Sequence, residues 1–221
     1  MSFRHVVALA GLLAVGSVQA ETAATHTITG DAKAGEAKSA ACGACHGPDG
    51  NSTDKQYPKI AGQQADYIAR QLSLFKSNAR ANPIMLGFVA NLTEQDMHDL
   101  GAYFATKQAV AGNGDNQLKA RGETLWRSGD TKLGVPACMS CHGPDGRGNP
   151  GAGYPQLAGQ HTDYVAAKLK EWNAGTTWGA DDRSKIMPDI AKRLSNQDMV
   201  SVASYAEGLH TAKPAVAEAK K

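Results

Sequence analysis

Cys42-Gly43-Ala44-Cys45-His46-Gly47-Pro48-Asp49-Gly50 returns later in the chain as Cys138-Met139-Ser140-Cys141-His142-Gly143-Pro144-Asp145-Gly146. The likeness extends well beyond this block. Tyr57-Pro58-Lys59-Ile60-Ala61-Gly62-Gln63 matches Tyr154-Pro155-Gln156-Leu157-Ala158-Gly159-Gln160. Ile84-Met85 matches Ile186-Met187, and Leu92-Thr93-Glu94-Gln95-Asp96-Met97 matches Leu194-Ser195-Asn196-Gln197-Asp198-Met199. Tyr103 pairs with Tyr205. A period of roughly 100 residues is too long for a solenoid, and it suits two copies of one small domain.

Cys-x-x-Cys-His is the attachment motif of haem c. Two thiols at this spacing add across the two vinyl groups of one porphyrin edge. The following histidine then lies beneath the iron and binds it through a ring nitrogen. The expected attachment residues are Cys42 and Cys45 with His46 as iron ligand, and Cys138 and Cys141 with His142. The cofactor expectation is therefore two covalently bound haem c. Three other uses of the cysteines are less well supported. A zinc site would join two pairs far apart in sequence and leave each adjacent histidine unexplained. A thioredoxin-like dithiol requires a βαβ context that the chain lacks. Structural disulfides would not account for the histidines.

The sixth iron ligand must recur in both halves and lie in a loop able to face the haem. Met85 and Met187 meet this requirement, each following an isoleucine, with Pro188 keeping the chain after Met187 irregular. Met97 and Met199 also recur, but they belong to the apolar face of a helix and are read as packing. Met139 has Ala44 at the equivalent position and no counterpart. His5, His26, His98, His161 and His210 are assigned to the surface rather than to ligation.

The coarse structure reads as all-α. Residues 33–42 form a first helix before the cysteine motif, and residues 66–75 a second, with Ile68, Leu72 and Phe75 at helical spacing. Thr93-x-x-Asp96 and Ser195-x-x-Asp198 are helix N-cap signals. The helices they open line up Met97, Leu100 and Phe104 in one repeat and Met199, Val202 and Ala206 in the other. The intervening stretches are rich in Gly, Pro and Asn and read as loops. Residues 111–115 are the expected linker, so the domains are 21–112 and 113–221, with mobile outer ends. Residues 1–20 carry a basic start, a short apolar run and Val18-Gln19-Ala20, the pattern of a signal peptide with its cleavage site. That run is shorter than the ~20 residues a membrane span needs. Export to the periplasm follows. The 221 residues carry 23 basic and 21 acidic side chains, a net charge of +2. Neither half has the basic excess of a nucleic-acid binder.

On these motifs the chain resembles the dihaem cytochrome c4 family, from about Asp31 to His210. The carrying features are the two CxxCHGxxG blocks, the two YPxxAGQ stretches and the Ile-Met followed by a Leu-[Thr/Ser]-x-Gln-Asp-Met helix. The resemblance implies two tandem cytochrome c domains, all-α and related by a pseudo-twofold axis. It implies His46/Met85 and His142/Met187 ligation. It also implies that the Pro58 and Pro155 carbonyls accept from the axial histidines, and that Gly35 and Gly122 let the first helix cross the last near Tyr103 and Tyr205. The second repeat departs from the first in longer segments at 127–137 and 173–185.

With histidine below and methionine above, each iron has no open position, so the expected function is electron carriage rather than catalysis. A thioether ligand and an apolar pocket both favour Fe(II) and raise the potential. The resemblance implies a circuit from a quinol-oxidising complex or another periplasmic donor to a terminal oxidase. Partners are expected to be transient, with small interfaces. The chain is expected to be a monomer, and a loose association with a membrane surface is left open. The alternative is the dihaem cytochrome subunit of an enzyme complex, such as a flavocytochrome sulfide dehydrogenase. A dihaem peroxidase or a gas sensor would need an open coordination site.

Overall fold

The computed structural model describes residues 28–210. The signal peptide of residues 1–20 and the expected mobile tail from residue 211 lie outside the described residues. Among the described residues, ten α-helices fall into two sets of five in the same order. The first set is α1 (Ala32–Lys38), α2 (Ala40–His46), α3 (Ala65–Lys76), α4 (Pro83–Val89) and α5 (Glu94–Ala105). The second is α6 (Lys119–Arg127), α7 (Met139–His142), α8 (Thr162–Asn173), α9 (Arg183–Ala191) and α10 (Asn196–Gly208). The only β pairing within residues 28–210 is two isolated bridges.

Each repeat is organised around its last helix. Both of these helices open with a capping box. Thr93 takes the Asp96 N–H (3.1 Å) and gives its own N–H to the Asp96 carboxylate (2.8 Å). Ser195 and Asp198 do the same at 3.1 and 3.0 Å. Reciprocal bonds of this kind satisfy two of the donors a helix start leaves unpaired. α1 and α3 pack on α5, and α6 and α8 pack on α10. The first helix crosses the last through a glycine. A Cβ on Gly35 would stand 2.0 Å from the Asp99 carbonyl oxygen, and one on Gly122 would stand 2.3 Å from that of Ser201. Tyr103 and Tyr205 flank the two crossings, as the resemblance implied. Met97, Leu100 and Phe104 are buried in the first repeat, and Met199, Val202 and Ala206 in the second, on the faces read from the sequence. Fully burying a Val, Leu, Met or Phe side chain contributes about 1.5–3 kcal/mol, and Ala206 less.

Two local readings are corrected, and the linker gains contacts. The first helix does not run unbroken over 33–42. Ser39 turns its hydroxyl (2.9 Å) and its N–H (3.2 Å) back onto the Glu36 carbonyl, tightening the chain there, and a new helix then carries the cysteine motif. Met85 and Met187 stand on helices, not loops. Pro83 occupies the first turn of α4, where its missing N–H costs nothing, and Asn82 caps the Met85 N–H at 3.0 Å. In α9, Pro188 forfeits one rung, but the Lys192 N–H bonds the Pro188 carbonyl (3.1 Å) and the helix goes on. Residues 111–115, the expected linker, make hydrogen bonds to the second repeat. The Gly112 N–H bonds the Glu207 carbonyl (3.0 Å), and the Asp115 N–H bonds Ser204 Oγ (2.7 Å), so the connection lies along α10.

The longer segments of the second repeat are also tied down. Asp130 and Val135 exchange backbone hydrogen bonds (2.8 and 2.9 Å), and Arg121 bridges Asp130 to Asp198. In the other segment Trp178 stacks at a tilt on Trp172, with ring centroids 4.5 Å apart.

Candidate haem sites

The cysteine motif is itself helical. In α2, Cys42, Cys45 and His46 stand at i, i+3 and i+4, which brings two thiols and an imidazole to one face. Cys138 opens α7, and the His142 N–H bonds its carbonyl at 3.0 Å, so the second motif has the same turn. Both helices stop at the next residue. Gly47 (φ 82°) and Gly143 (φ 79°) adopt a left-handed backbone that L side chains disfavour. A Cβ on Gly47 would also meet the Asn51 carbonyl oxygen at 2.7 Å.

The loop beyond folds back to hold the histidine. His46 Nδ1–H donates to the Pro58 carbonyl at 2.8 Å, and His142 Nδ1–H donates to that of Pro155 at 2.9 Å. A carbonyl only accepts, so Nδ1 carries the proton and the Nε2 lone pair is left for a metal. Burial pushes both histidine pKa values down, with the proline carbonyl opposing it, so both rings are held neutral. Tyr57 and Tyr154 meet the two rings at 6.4 and 6.2 Å between centroids. Burial pushes the Cys42 thiol up, and the Cys138 thiol up to about 11.

Each motif opens onto its own apolar cavity. The first, about 310 Å³, is lined by Cys42, Cys45, His46 and Met85, with walls that include Leu72 and Phe104. The second, about 190 Å³, is lined by Cys138, Cys141, His142 and Met187. The two cysteine pairs therefore do not meet, and no four-cysteine zinc site forms from them. All four cysteines are free thiols. In each cavity two thiols on one helical face, a free imidazole nitrogen and a thioether share an apolar space. This soft N,S donor set inside low-polarity walls fits a covalently attached haem.

The cavities abut. Tyr67, Gln71, Pro155, Leu157, Tyr164 and Lys168 line both. Between them the repeats exchange equivalent hydrogen bonds. Gln63 closes on the backbone of Gln156 (2.9 and 3.0 Å), and Gln160 closes on that of Lys59 (2.9 and 2.7 Å). Mutual exchange of this kind is the signature of twofold pairing.

Several residues of this region are not singled out by the sequence. Gln63 and Gln160 recur in both halves, but recurrence alone does not separate a clamp from a turn. Arg80 and Trp178 have no recurrent partner, so repetition carries no signal for them. His161, assigned to the surface, is 5% exposed. It belongs to the second repeat and seats Nε2 at 3.0 Å from both the hydroxyl and the carbonyl oxygen of Ser52 in the first. Its aligned residue, Gln64, likewise reaches across the interface, to the Tyr154 carbonyl at 2.6 Å.

The cytochrome c family model matches residues 32–108 and 120–209. The chain is 46% identical over 181 residues to cytochrome c4 of Pseudomonas aeruginosa, covering 82% of this chain and 90% of that protein. The solved structure of reduced recombinant cytochrome c4 from Pseudomonas stutzeri is similar with a TM-score of 0.79 at 41% identity, covering 82% of this chain and all of that one. A thiosulfate dehydrogenase electron acceptor of Stutzerimonas stutzeri is 35% identical over 169 residues, covering 75% and 77%. With two such domains, each built on its own CxxCH cavity, the chain belongs to the dihaem cytochrome c4 family: it carries two covalently bound haem c groups and transfers electrons to and from redox partners.

Proposed function

We propose that this chain is a periplasmic carrier that takes electrons from a quinol-oxidising complex or another periplasmic donor and delivers them to a terminal oxidase. Cys42 and Cys45 would attach the first haem, and His46 and Met85 would supply its iron ligands. Cys138 and Cys141 would attach the second, with His142 and Met187. Residues 1–20 are an export signal, 21–112 the first domain and 113–221 the second. The observation that carries this reading is the pair of equivalent cavities, each with a CxxCH face and a recurrent methionine, meeting across the interface.

Each bound haem supplies one reversible Fe(III)/Fe(II) couple. The protein's part is to keep each site closed and unchanging. The Pro58 and Pro155 carbonyls fix the two imidazoles. The methionines stand on the helices α4 and α9. The apolar walls exclude water and disfavour the extra charge on Fe(III). Haems held in these two cavities would exchange electrons internally, which the shared lining supports. External partners dock transiently with the monomer. No helix among the described residues is long and apolar enough to cross a membrane.

A second reading is favoured by one observation. The 35% identity to a thiosulfate dehydrogenase electron acceptor suggests service to a sulfur-compound dehydrogenase, as its acceptor or as its dihaem cytochrome subunit.

The test is a redox-titrated optical spectrum of the mature protein, extended to the near-infrared band of a sulfur–iron(III) bond, followed by reoxidation with oxidase-containing membranes. Two haems, both with the band and a high potential, and rapid reoxidation support the carrier. A haem without the band overturns its methionine assignment. Reduction by a sulfur-compound dehydrogenase but not by a quinol-oxidising complex favours the second reading.

A further inference from the structure

We infer that His161 and Glu207 form a proton-operated latch on the domain interface: a proton on His161 Nδ1 closes the ring onto the Glu207 carboxylate and tightens its grip on Ser52 of the other repeat. Nothing in the latch depends on which residues ligate the irons. His161 immediately precedes α8 and, at 5% exposed, lies in the seam between the repeats. Its Nε2 stands 3.0 Å from both the carbonyl oxygen and the hydroxyl of Ser52. A carbonyl only accepts, so Nε2 carries a proton. The Ser52 hydroxyl gives its own hydrogen to the Tyr57 carbonyl at 2.5 Å, which leaves its oxygen free to accept from the ring as well. With Nε2 protonated, the neutral ring bears its lone pair at Nδ1. That nitrogen is buried and has no hydrogen-bond partner among the described residues. Buried polar atoms are paired in the great majority of cases, so an orphan calls for an explanation.

What faces the orphan is another acceptor. Glu207 Oε1 of α10 lies 3.9 Å from Nδ1, too far for a hydrogen bond and near enough for an ion pair. The second carboxylate oxygen, Oε2, is held by the Thr162 N–H (2.9 Å) and hydroxyl (2.5 Å) at the start of α8. Gly112 of the connecting segment lies against the same side chain, where a Cβ would stand 2.4 Å from Glu207 Cγ. The carboxylate is thus fixed beside the ring. One proton from solvent turns the two facing acceptors into an N–H···O pair; an N–H bond forms and no electron moves. The ring then carries a positive charge, and its Nε2–H bonds to Ser52 become charge-assisted and stronger.

The other ionisable groups nearby do not take the place of Glu207. Lys59 of the first repeat faces Glu207 and donates to the Val110 carbonyl at 2.8 Å, and its charge opposes a second cation there. Asp54 beside Ser52 and Asp163 in the first turn of α8 are exposed, so solvent and salt screen them. Asp49 is bonded by Asn51. Tyr57 is turned to His46, Tyr164 to Arg80 and Tyr205 to Arg127. The pair is not repeated in the chain. Gln64 stands where His161 does, and Ala105 where Glu207 does, so each molecule has one latch.

The experiment is amide hydrogen exchange of the reduced holoprotein by NMR, expressed as protection factors, across the range from about pH 5 to about pH 8 in which histidine titrates. The proteins are wild type, His161→Gln and Glu207→Gln. The N–H groups of Lys59 and Gln156, each held from across the interface, report its opening. In wild type both protection factors are expected to rise about tenfold from the alkaline to the acid end, the worth of one charge-assisted bond. His161→Gln keeps a donor for Ser52 but cannot take a proton, so its profile should be flat. Glu207→Gln still accepts from Thr162 and offers an amide N–H to Nδ1. Its profile should also be flat, with protection at neutral pH no lower than in wild type. A flat wild-type profile overturns the latch. So does protection that falls with acid, which would mean that burying the charge opens the seam. A wild-type slope that survives in either variant overturns it too. Should His161→Gln not accumulate as holoprotein, Glu207→Gln decides alone: a flat profile supports the latch, and a retained slope overturns it.

Discussion

The side-chain amide of Gln63 grips the backbone of Gln156 from the other repeat, accepting its N–H at 2.9 Å and donating to its carbonyl at 3.0 Å. It does what a neighbouring strand would do for one residue. Gln160 repeats the act on Lys59. The two clamps fasten the loops that carry Pro58 and Pro155, whose carbonyls hold His46 and His142. The domain interface and the orientation of both imidazoles are thus parts of one network.

Removing a clamp should therefore be felt at its backbone target. Gln63→Ala is expected to cost about 1–2 kcal/mol, the net worth of two hydrogen bonds. Amide hydrogen exchange should quicken at Gln156 and not at Lys59, and Gln160→Ala should show the reverse. Unaltered protection at both positions would refute the clamp.

Replacing Met85 with His should lower the potential of one haem, because a nitrogen ligand in place of a thioether favours Fe(III). The other potential should stay nearly unchanged. Met187→His should act on the other haem. Spectroelectrochemical titration resolves the two, and potentials that stay put in a variant remove that methionine from the ligand set.

Acid should loosen the first-helix crossings. Asp99 accepts from the Asp31 N–H, Lys38 and Gln95, which together hold its carboxyl below the usual range. Burial pushes Asp198 up, but hydrogen bonds from Arg121 and Ser195 outweigh it, and the net shift is downward. A carboxyl depressed in the folded state stabilises above its unfolded pKa, about 4. That stability drains away as pH falls from there through the folded value. Asp99→Asn is expected to lose about 1.5–3 kcal/mol at neutral pH and to flatten the acid limb of the unfolding curve. Chemical denaturation at several pH values checks this, and an equally steep acid limb in the variant counts against it.

Gly35→Ala and Gly122→Ala test the crossings directly. Alanine gains about 1 kcal/mol of helix propensity over glycine. Its methyl would, however, meet a backbone carbonyl at 2.0 or 2.3 Å, and backbone cannot rotate out of the way. Overpacking of this sort costs about 1–3 kcal/mol or more, so both variants should melt at lower temperature. Calorimetry that found either one stabilised would show the helices free to part.

The repeat makes much of this protein legible in its sequence. Two copies of CxxCH define the cofactor and its face, because covalent chemistry depends on residue type and spacing alone. The Thr93 and Ser195 capping boxes and the apolar faces behind them are local features, and local rules suffice to read them. Helix ends are less readable. Ser39 breaks the first helix by turning its hydroxyl and N–H onto the Glu36 carbonyl, and Pro188 sits inside a helix that continues past it, so that a single residue's propensity misplaces both ends.

What the sequence could not decide is whatever depends on where one repeat lies against the other. His161 and Gln64 align, yet one is a buried imidazole on Ser52 and the other an amide on Tyr154. Nothing in either stretch announces a partner over 80 residues away. Arg80 shows the limit most clearly. It is a single unrepeated arginine, and the sequence carries no sign of its burial. Only the tertiary structure stacks it on Trp178 and turns it to the first cavity. The chain by itself determined which cofactors are bound and in which folds; the packing of the two folds decided which side chains were taken out of water, because contacts between the repeats depend on how two surfaces meet and not on any local pattern.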